Sequence, residues 1–501
     1  MELTIRSAIY LAIAIIAITA AVTKIARGRR RTSDLACNRP PPPVVNCFAL
    51  LGLLPTLFRN DLPAMMHQLY IKFGSVFTIS VVGLLKVTFL VGPEVSAHFF
   101  QGLESEISHG NLFEFSVPMF GKEVGHGVDD ATRNEHSRFV VDALKPTRLK
   151  IHVDPMVQEV ENYFAKWGQH GTIDLKYELE RLLLLITGRC ILGKEVMTMF
   201  DEVCKQFREI ENGVNLTSFF FPYSPVIPSN HRRDRAREKL HSIFSDIVRS
   251  RKLRQRDQVD KDVLQSLIDS RYKDGRPTTE AEVSGLIISL LFAAKHTSTH
   301  TSVWTGARLL THDKFLAAAV AEQDHVVKKH SATTDGRIID HYSFLMDMNM
   351  LHNCIKEALR LHPPAPMMVR QAQKQFIVRT REGDEYCVPA GHTIASPIVI
   401  NNHMPYIYKD AHLYDPDRFG PGREEDKVGG KFSYTSFGGG RNSCVGEGYA
   451  YMQIKAIWSH LLGNFELRLL SPFPKTDWSK LVPEPQGEVM VSYKRRQLPT
   501  T

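Results

Sequence analysis

The chain has 501 residues, 43% hydrophobic and 23% charged, which is ordinary globular composition. The net charge of +8 could suggest nucleic acid, but much of the excess lies in "KIARGRRR" (24–31), directly after an apolar run, and that placement favours a membrane over a nucleic-acid partner. Seven cysteines, odd in number, scattered and without a C-x-x-C, argue against a disulfide framework and against a structural zinc site.

The apolar run, Ser7 to Thr23, carries no charge and is long enough for a short or tilted spanning helix. Its positive charge is heaviest after the apolar core (Lys24, Arg27, Arg29, Arg30, Arg31), the reverse of a cleaved signal peptide. Residues 1–31 therefore read as an uncleaved anchor, with the C-terminal bulk in the cytosol by the positive-inside rule. Residues 32–59 hold Pro40–Pro43, a run that cannot be helical and reads as a stiff hinge.

The body, residues 60–501, reads as mostly helical with short strands. "SVFTISVVGLLKVTFLVG" (75–92) predicts a β-hairpin from its β-branched and aromatic runs around a glycine. A strongly apolar helix is predicted over 171–192 and a basic amphipathic one over 231–255, its charges a solvated face. "SGLIISLLFAAKHTSTHTSVWTGARLL" (284–310) predicts one long apolar helix with a polar patch in its middle. Hydroxyls there are costly unless they bond the preceding turn or face a polar cavity. His296 and His300 share a face of this helix at the spacing of H-E-x-x-H zinc sites, but no glutamate lies between them to act as base. Residues 375–401 alternate in strand fashion, with turns at Gly383 and Gly391.

Three separated signals follow. In "KEALRLHPP", Glu357 and Arg360 stand three apart on a helix that the prolines end. "YDPDRF" places Arg418 in an irregular stretch. "FGGGRNSCVGEGYAYMQIKAIWSHLL" (437–462) runs from a glycine-rich loop through Cys444 into an amphipathic helix.

Together these spacings resemble cytochrome P450, the haem-thiolate monooxygenases, along essentially the whole chain. The resemblance implies a mainly α fold with a smaller β-rich lobe. It also implies haem b with Cys444 as axial iron ligand, and electrons from NADPH through NADPH-cytochrome P450 reductase, docking near Lys455. A thiolate ligand pushes electron density that favours O–O cleavage, and N–H groups donated to the sulfur tune it. Phe437 and Gly446 belong to the implied cofactor site, and Glu357, Arg360 and Arg418 to a buried charge triad. On the long helix Thr297 is implied as the proton-relay hydroxyl, with His296 where most members carry an acid. Histidine there is similar to the sterol 14α-demethylase branch. So are "FSYTSFGGGR", "AYMQIKAIWSHLL", "SPFPKTDW", "PGREED" and "KYELERLLLL", which resemble its plant members.

The chain departs from that branch where Ala294 replaces glycine, Lys295 glutamine and His300 isoleucine. Phe113 replaces tyrosine, His126 and Gly127 an aromatic–aspartate pair, and Asn442 a basic residue that reaches a haem propionate. With Asn442 neutral, Arg370, then Arg138 and Arg441, are expected to meet the propionate charge. The substrate pocket is expected to take in Phe113, Val117, Phe120, His126, Ala293, Ala294, His300, Met367 and Met368. Read as a retuned pocket, the substitutions favour hydroxylation or epoxidation of a triterpene such as β-amyrin by an enzyme of the endoplasmic reticulum membrane. The second reading is 14α-demethylation of obtusifoliol-like sterols. A third, a haem- or sterol-binding protein without turnover, is opposed by the retention of Thr297 and His296.

Overall fold

The computed structural model describes residues 37–45, 61–81, 85–214, 218, 221–254, 261–333, 340–480 and 482–497. The expected anchor lies outside these residues, as does most of the proline-rich segment. Among the described residues no helix is long and apolar enough to cross a membrane.

The helices that frame the site are α1 (Asp130–Leu144), α2 (Pro146–Phe164), α3 (Leu175–Thr187), α4 (Phe200–Asn212), α5 (Pro228–Leu253), α6 (Glu280–Leu309), α7 (Asn349–Leu361) and α8 (Glu447–Asn464). The long helix α6 starts at a capping box: Thr279 accepts from the Glu282 N–H, and the Glu282 carboxylate accepts from the Thr279 N–H. Its sequence is apolar nearly all round, so it must be enclosed. α3, α5, α7 and α8 pack against it and join it in one large core.

The smaller lobe is built on a six-stranded sheet in the order β1-β2-β3-β9-β6-β4. Its strands are β1 (Val44–Val45), β2 (Val76–Val81), β3 (Leu85–Leu90), β4 (Ile107–Ser108), β6 (Met368–Ala372) and β9 (Thr393–Ser396). The predicted hairpin is β2 and β3, antiparallel from Val76↔Leu90 to Val81↔Leu85. The strand-like stretch after residue 375 forms β7 (Phe376–Arg379) and β8 (Glu385–Val388), paired with each other, then β9.

The helix expected over 171–192 divides. Residues His170–Asp174 form β5, paired with β13 (Met490–Arg495) beside β10 (Phe465–Leu469). Asp174 then caps α3 by accepting from the Lys176 N–H, and residues 188–192 widen into a π-helical turn. The pairing partner lies some three hundred residues away, so local periodicity could not reveal it.

The described part of the proline-rich segment, residues 37–45, lies along the small lobe: β1 runs parallel to β2, and the Cys387 N–H donates to the Pro40 carbonyl at 2.9 Å. A disulfide joins Cys37 to Cys387 across a separation of 350 residues, so at least one pair of the scattered cysteines is bridged. Cys190, Cys204, Cys354 and Cys444 are free.

Candidate active site

Cys444 sits at the end of a loop that folds back on itself, its N–H donating to the Phe437 carbonyl at 2.8 Å. The turn needs glycine at Gly438 and Gly440, which have φ of 72° and 62°. At Gly440 a Cβ would also overlap the Phe100 carbonyl oxygen. The Cys444 sulfur is open along a cavity wall yet deep among protein atoms. Burial pushes its thiol up, against the backbone N–H groups of Gly446 and Glu447, which favour the anion. A thiol so placed becomes a stable thiolate only on gaining a cationic partner. Such a sulfur suits a metal ligand better than a free nucleophile.

Opposite it, α6 crosses a cavity of about 500 Å³. Ala293, Ala294, Thr297, Ser298 and Thr301 line it from α6, and Met367, Met368, Phe437, Cys444 and Gly446 from the other side. The hydroxyls predicted to be costly bond the preceding turn. Thr297 Oγ1 donates to the Ala293 carbonyl at 2.7 Å, and Thr299, Thr301 and Thr305 repeat the pattern.

The paired histidines engage different carboxylates. His296 Nε2 lies 2.6 Å from Oε1 of Glu211 on α4, whose Oε2 accepts from Lys295 Nζ at 2.8 Å. Lys295 also reaches Glu180 on α3 at 3.2 Å, linking the buried carboxylate to one that is half exposed. Burial raises the Glu211 carboxyl, but His296 and Lys295 outweigh it and hold the group below the usual carboxylate range. His300 Nε2 instead faces Oε2 of Glu484 at 3.3 Å. Glu211 and Glu484 were missed in the sequence because each lies on another element, far away in the chain.

Behind the cysteine loop, Glu357, Arg360 and Arg418 are completely buried. Arg360 donates to both oxygens of Glu357 at 2.7 and 2.8 Å, and Arg418 Nε to Oε1 at 2.9 Å. Arg418 also pairs with Glu425, a fourth member that the sequence reading did not include. Arg360 reaches on to the Asn402 and Leu413 carbonyls, so the cluster fastens α7 to the irregular segment before the cysteine loop.

Several expectations need correction. Phe113, Val117, Phe120, His126 and His300 are not among the cavity-lining residues. Phe113 stacks on His126 instead, with centroids 5.1 Å apart, and Phe120 packs on Phe292. Arg138 turns away to Glu135 and the Arg271 carbonyl. Arg441 is exposed on the turn Gly440–Asn442, and the side chain of Asn442 lies outside the described atoms. Lys455 cannot mark a docking face: it is buried and donates to the Leu345 carbonyl at 2.9 Å.

Arg370 differs from the other candidates. It is buried, its Nη1 donates only to the neighbouring Val369 carbonyl, and its Nε has no partner. Burial pushes the guanidinium down to about 10, relieved in part by Glu104. A buried cation with an unused donor fits an anionic group that the polypeptide itself does not supply. Arg370 itself does not line the cavity but stands two residues on from Met368, which does, on the same face of β6, so that with the sulfur in the cavity wall the site fits haem and its propionates.

Comparison with known proteins agrees with this geometry. Residues 40–491 match the cytochrome P450 family. Obtusifoliol 14-alpha demethylase of Sorghum bicolor is 51% identical over 458 residues, 91% of either chain. Sterol 14-demethylase of Arabidopsis thaliana is 50% identical, covering 93% of this chain and 94% of its own. Lanosterol 14-alpha demethylase of Mus musculus is 32% identical, covering 91% and 88%. The solved structure of retinoic acid bound cyanobacterial CYP120A1 shares the fold, with a TM-score of 0.75 at 20% identity over 92% of this chain and all of that one. The chain is thus a haem-thiolate monooxygenase with a cysteine thiolate on its iron, and it belongs to the cytochrome P450 family, in the branch of the sterol 14-demethylases.

Proposed function

We propose that the protein is a sterol 14α-demethylase acting on an obtusifoliol-like sterol, anchored in the endoplasmic reticulum membrane and supplied with electrons by NADPH-cytochrome P450 reductase. The observation that carries this reading is 51% identity, spread over nine-tenths of the chain, to an enzyme named for that reaction. The comparisons do not support the triterpene reading, which rested on substitutions taken as one retuned pocket. Of positions 113, 126, 127, 294 and 300, only Ala294 lines the cavity.

Haem bound through Cys444 supplies activation of O2 and insertion of one of its oxygen atoms into an unactivated C–H bond. Met367 and Met368, across the cavity from α6, would give the sterol an apolar wall beside the haem, where burial contributes about 25 cal/mol per Å². Removal of a methyl group takes three successive oxidations at one carbon, so this wall must hold one pose throughout. On the opposite side His296 Nε2 holds a proton against Glu211 Oε1, and Thr297 Oγ1 presents a hydroxyl to the cavity. Thr297 Oγ1, whose hydrogen is donated to the Ala293 carbonyl, would deliver that proton from the cavity wall, and the neighbouring His296–Glu211 pair would help replace it.

The test is complementation of a yeast strain lacking its own sterol 14-demethylase, with product analysis in reductase-containing membranes. Growth, and release of the 14α-methyl carbon as formate, is the expected result. Failure of both, with oxygenation of β-amyrin, would return the reading to the triterpene.

A further inference from the structure

His300 has no part in the chemistry described above and does not line the cavity. It is nevertheless buried, 4% exposed, on the helix that crosses the cavity. Its Nε2 lies 3.3 Å from Glu484 Oε2 and its Nδ1 has no partner, and burial lowers its pKa against the pull of Glu484. Glu484 is held down to about 2, first by His300. Lys176 on α3 completes the group, 3.2 Å from Glu484 Oε2 and donating to the Pro485 carbonyl at 3.2 Å. His296, one turn away at 5.8 Å between ring centroids, is the remaining titratable neighbour, and its Nε2 is taken by Glu211.

What these contacts hold is a weak element. Glu484 and Pro485 form β12, paired only with β11 (Thr476–Asp477) through two residue pairs. A two-stranded hairpin of that length is not stable alone. Trp478, next to β11, packs into the core of the small lobe, whereas Val482, two residues before Glu484, lines the cavity.

We infer that His300, with Glu484 and Lys176, is a specificity-positioning latch that fastens the β11–β12 hairpin to the central helix and so fixes Val482 as part of the substrate wall. The inference rests on this cavity being the substrate cavity, as proposed above, but not on which sterol enters it. Isoleucine at position 300 would keep the bulk but remove one of the carboxylate's two partners, leaving Lys176 alone to hold the hairpin.

The test uses the haem-loaded full chain and two iron-ligating probes, imidazole and triphenylmethyl-imidazole, with hydrogen exchange over residues 476–488. His300→Ile should speed exchange in the hairpin and weaken the bulky probe, each about tenfold, with imidazole binding unchanged. Lys176→Met, on the more exposed leg, should give the same pattern more weakly and covers the case in which the histidine variant folds poorly. His300→Ile and Glu484→Gln together should cost no more than Glu484→Gln alone, because the glutamate change already removes the histidine's partner. Unchanged exchange and unchanged bulky-probe binding would overturn the latch. So would normal probe binding with NADPH use uncoupled from product, which would place His300 in proton delivery. Because neither probe is a sterol, failure of the latch is separate from failure of the substrate assignment.

Discussion

His296 on the central helix faces Glu211 on α4 at 2.6 Å, and Lys295 holds the same carboxylate by its other oxygen. Two side-chain nitrogens on consecutive residues thus converge on one buried carboxylate, 12% exposed at its side chain. Glu211→Gln keeps the volume but removes the anion. We expect substrate binding to persist while product formation falls by about a hundredfold and NADPH oxidation becomes uncoupled, the scale of a lost general acid–base group. Thr297→Ala should uncouple in the same way. Fully coupled turnover in either variant would remove the pair from proton delivery. The linkage has a definite sign. The folded pKa of Glu211 is depressed, so its contribution to stability is complete above the unfolded value of about 4.3 and is lost as pH falls through the folded one. The stability gap between wild type and Glu211→Gln, read from denaturant melts, should therefore be constant near neutrality and close only in acid.

Arg370 supplies the second prediction. With one bond to its neighbour's carbonyl and an idle Nε, it has donors left over for a cofactor anion. A charge-assisted bond is worth about 1.5–3 kcal/mol. Arg370→Ala should accelerate haem loss to excess apomyoglobin several-fold relative to Ala at the exposed Arg235. Equal rates would assign the propionate charge elsewhere.

The buried cluster gives the third. Removing one partner from Glu357, Arg360 and Arg418 leaves uncompensated charge in the core, a cost of about 3–5 kcal/mol. Glu357→Gln leaves Arg360 without a carboxylate and Arg418 with Glu425 alone, and should fail to accumulate as haem-loaded protein. Arg423→Gln, at the partly exposed rim of the same network, should accumulate normally. Comparable yields would show that the cluster contributes little.

The sequence made the cysteine loop, the long helix, the β2–β3 hairpin and the E-x-x-R pair legible, because each is local: a glycine run, a periodicity, an i,i+3 spacing. It did not show that His296 and His300 serve different carboxylates, since Glu211 and Glu484 come from elements 85 and 184 residues away. Nor did it show β5, whose partner strand is near the C-terminus, or that Lys455 points inward from a helix buried nearly all round. The sequence placed Arg370 ahead of Arg138 as a propionate candidate but could not show what either one touches. Burial separates them, and burial is a property of the assembled fold.

The substitutions that set this chain apart from its branch predict three different outcomes rather than one. Ala294 faces the cavity, so Ala294→Gly removes a methyl group where a sterol would pack and should tighten sterol binding several-fold in a type I spectral titration; the corresponding overpacking cost is about 1–3 kcal/mol. His126 is stacked on Phe113 outside the cavity lining, with a buried Nδ1 that has no partner and a pKa pushed down to about 4 by burial. His126→Phe keeps the stack, relieves the orphaned nitrogen and should leave Tm unchanged or raised, with no effect on the sterol titration. Gly127 is the opposite case. A Cβ there would lie 2.5 Å from the Lys122 carbonyl oxygen and 2.6 Å from its Cα, which are backbone atoms that cannot swing aside. Gly127→Asp should therefore lower Tm whether or not His126 is also changed, because the turn around Gly125–Gly127 has closed on the space an aspartate would need. If Gly127→Asp instead restored sterol binding without loss of stability, positions 126 and 127 would belong to the substrate site after all, and the separation drawn here between the cavity and the Phe113–His126 stack would fail.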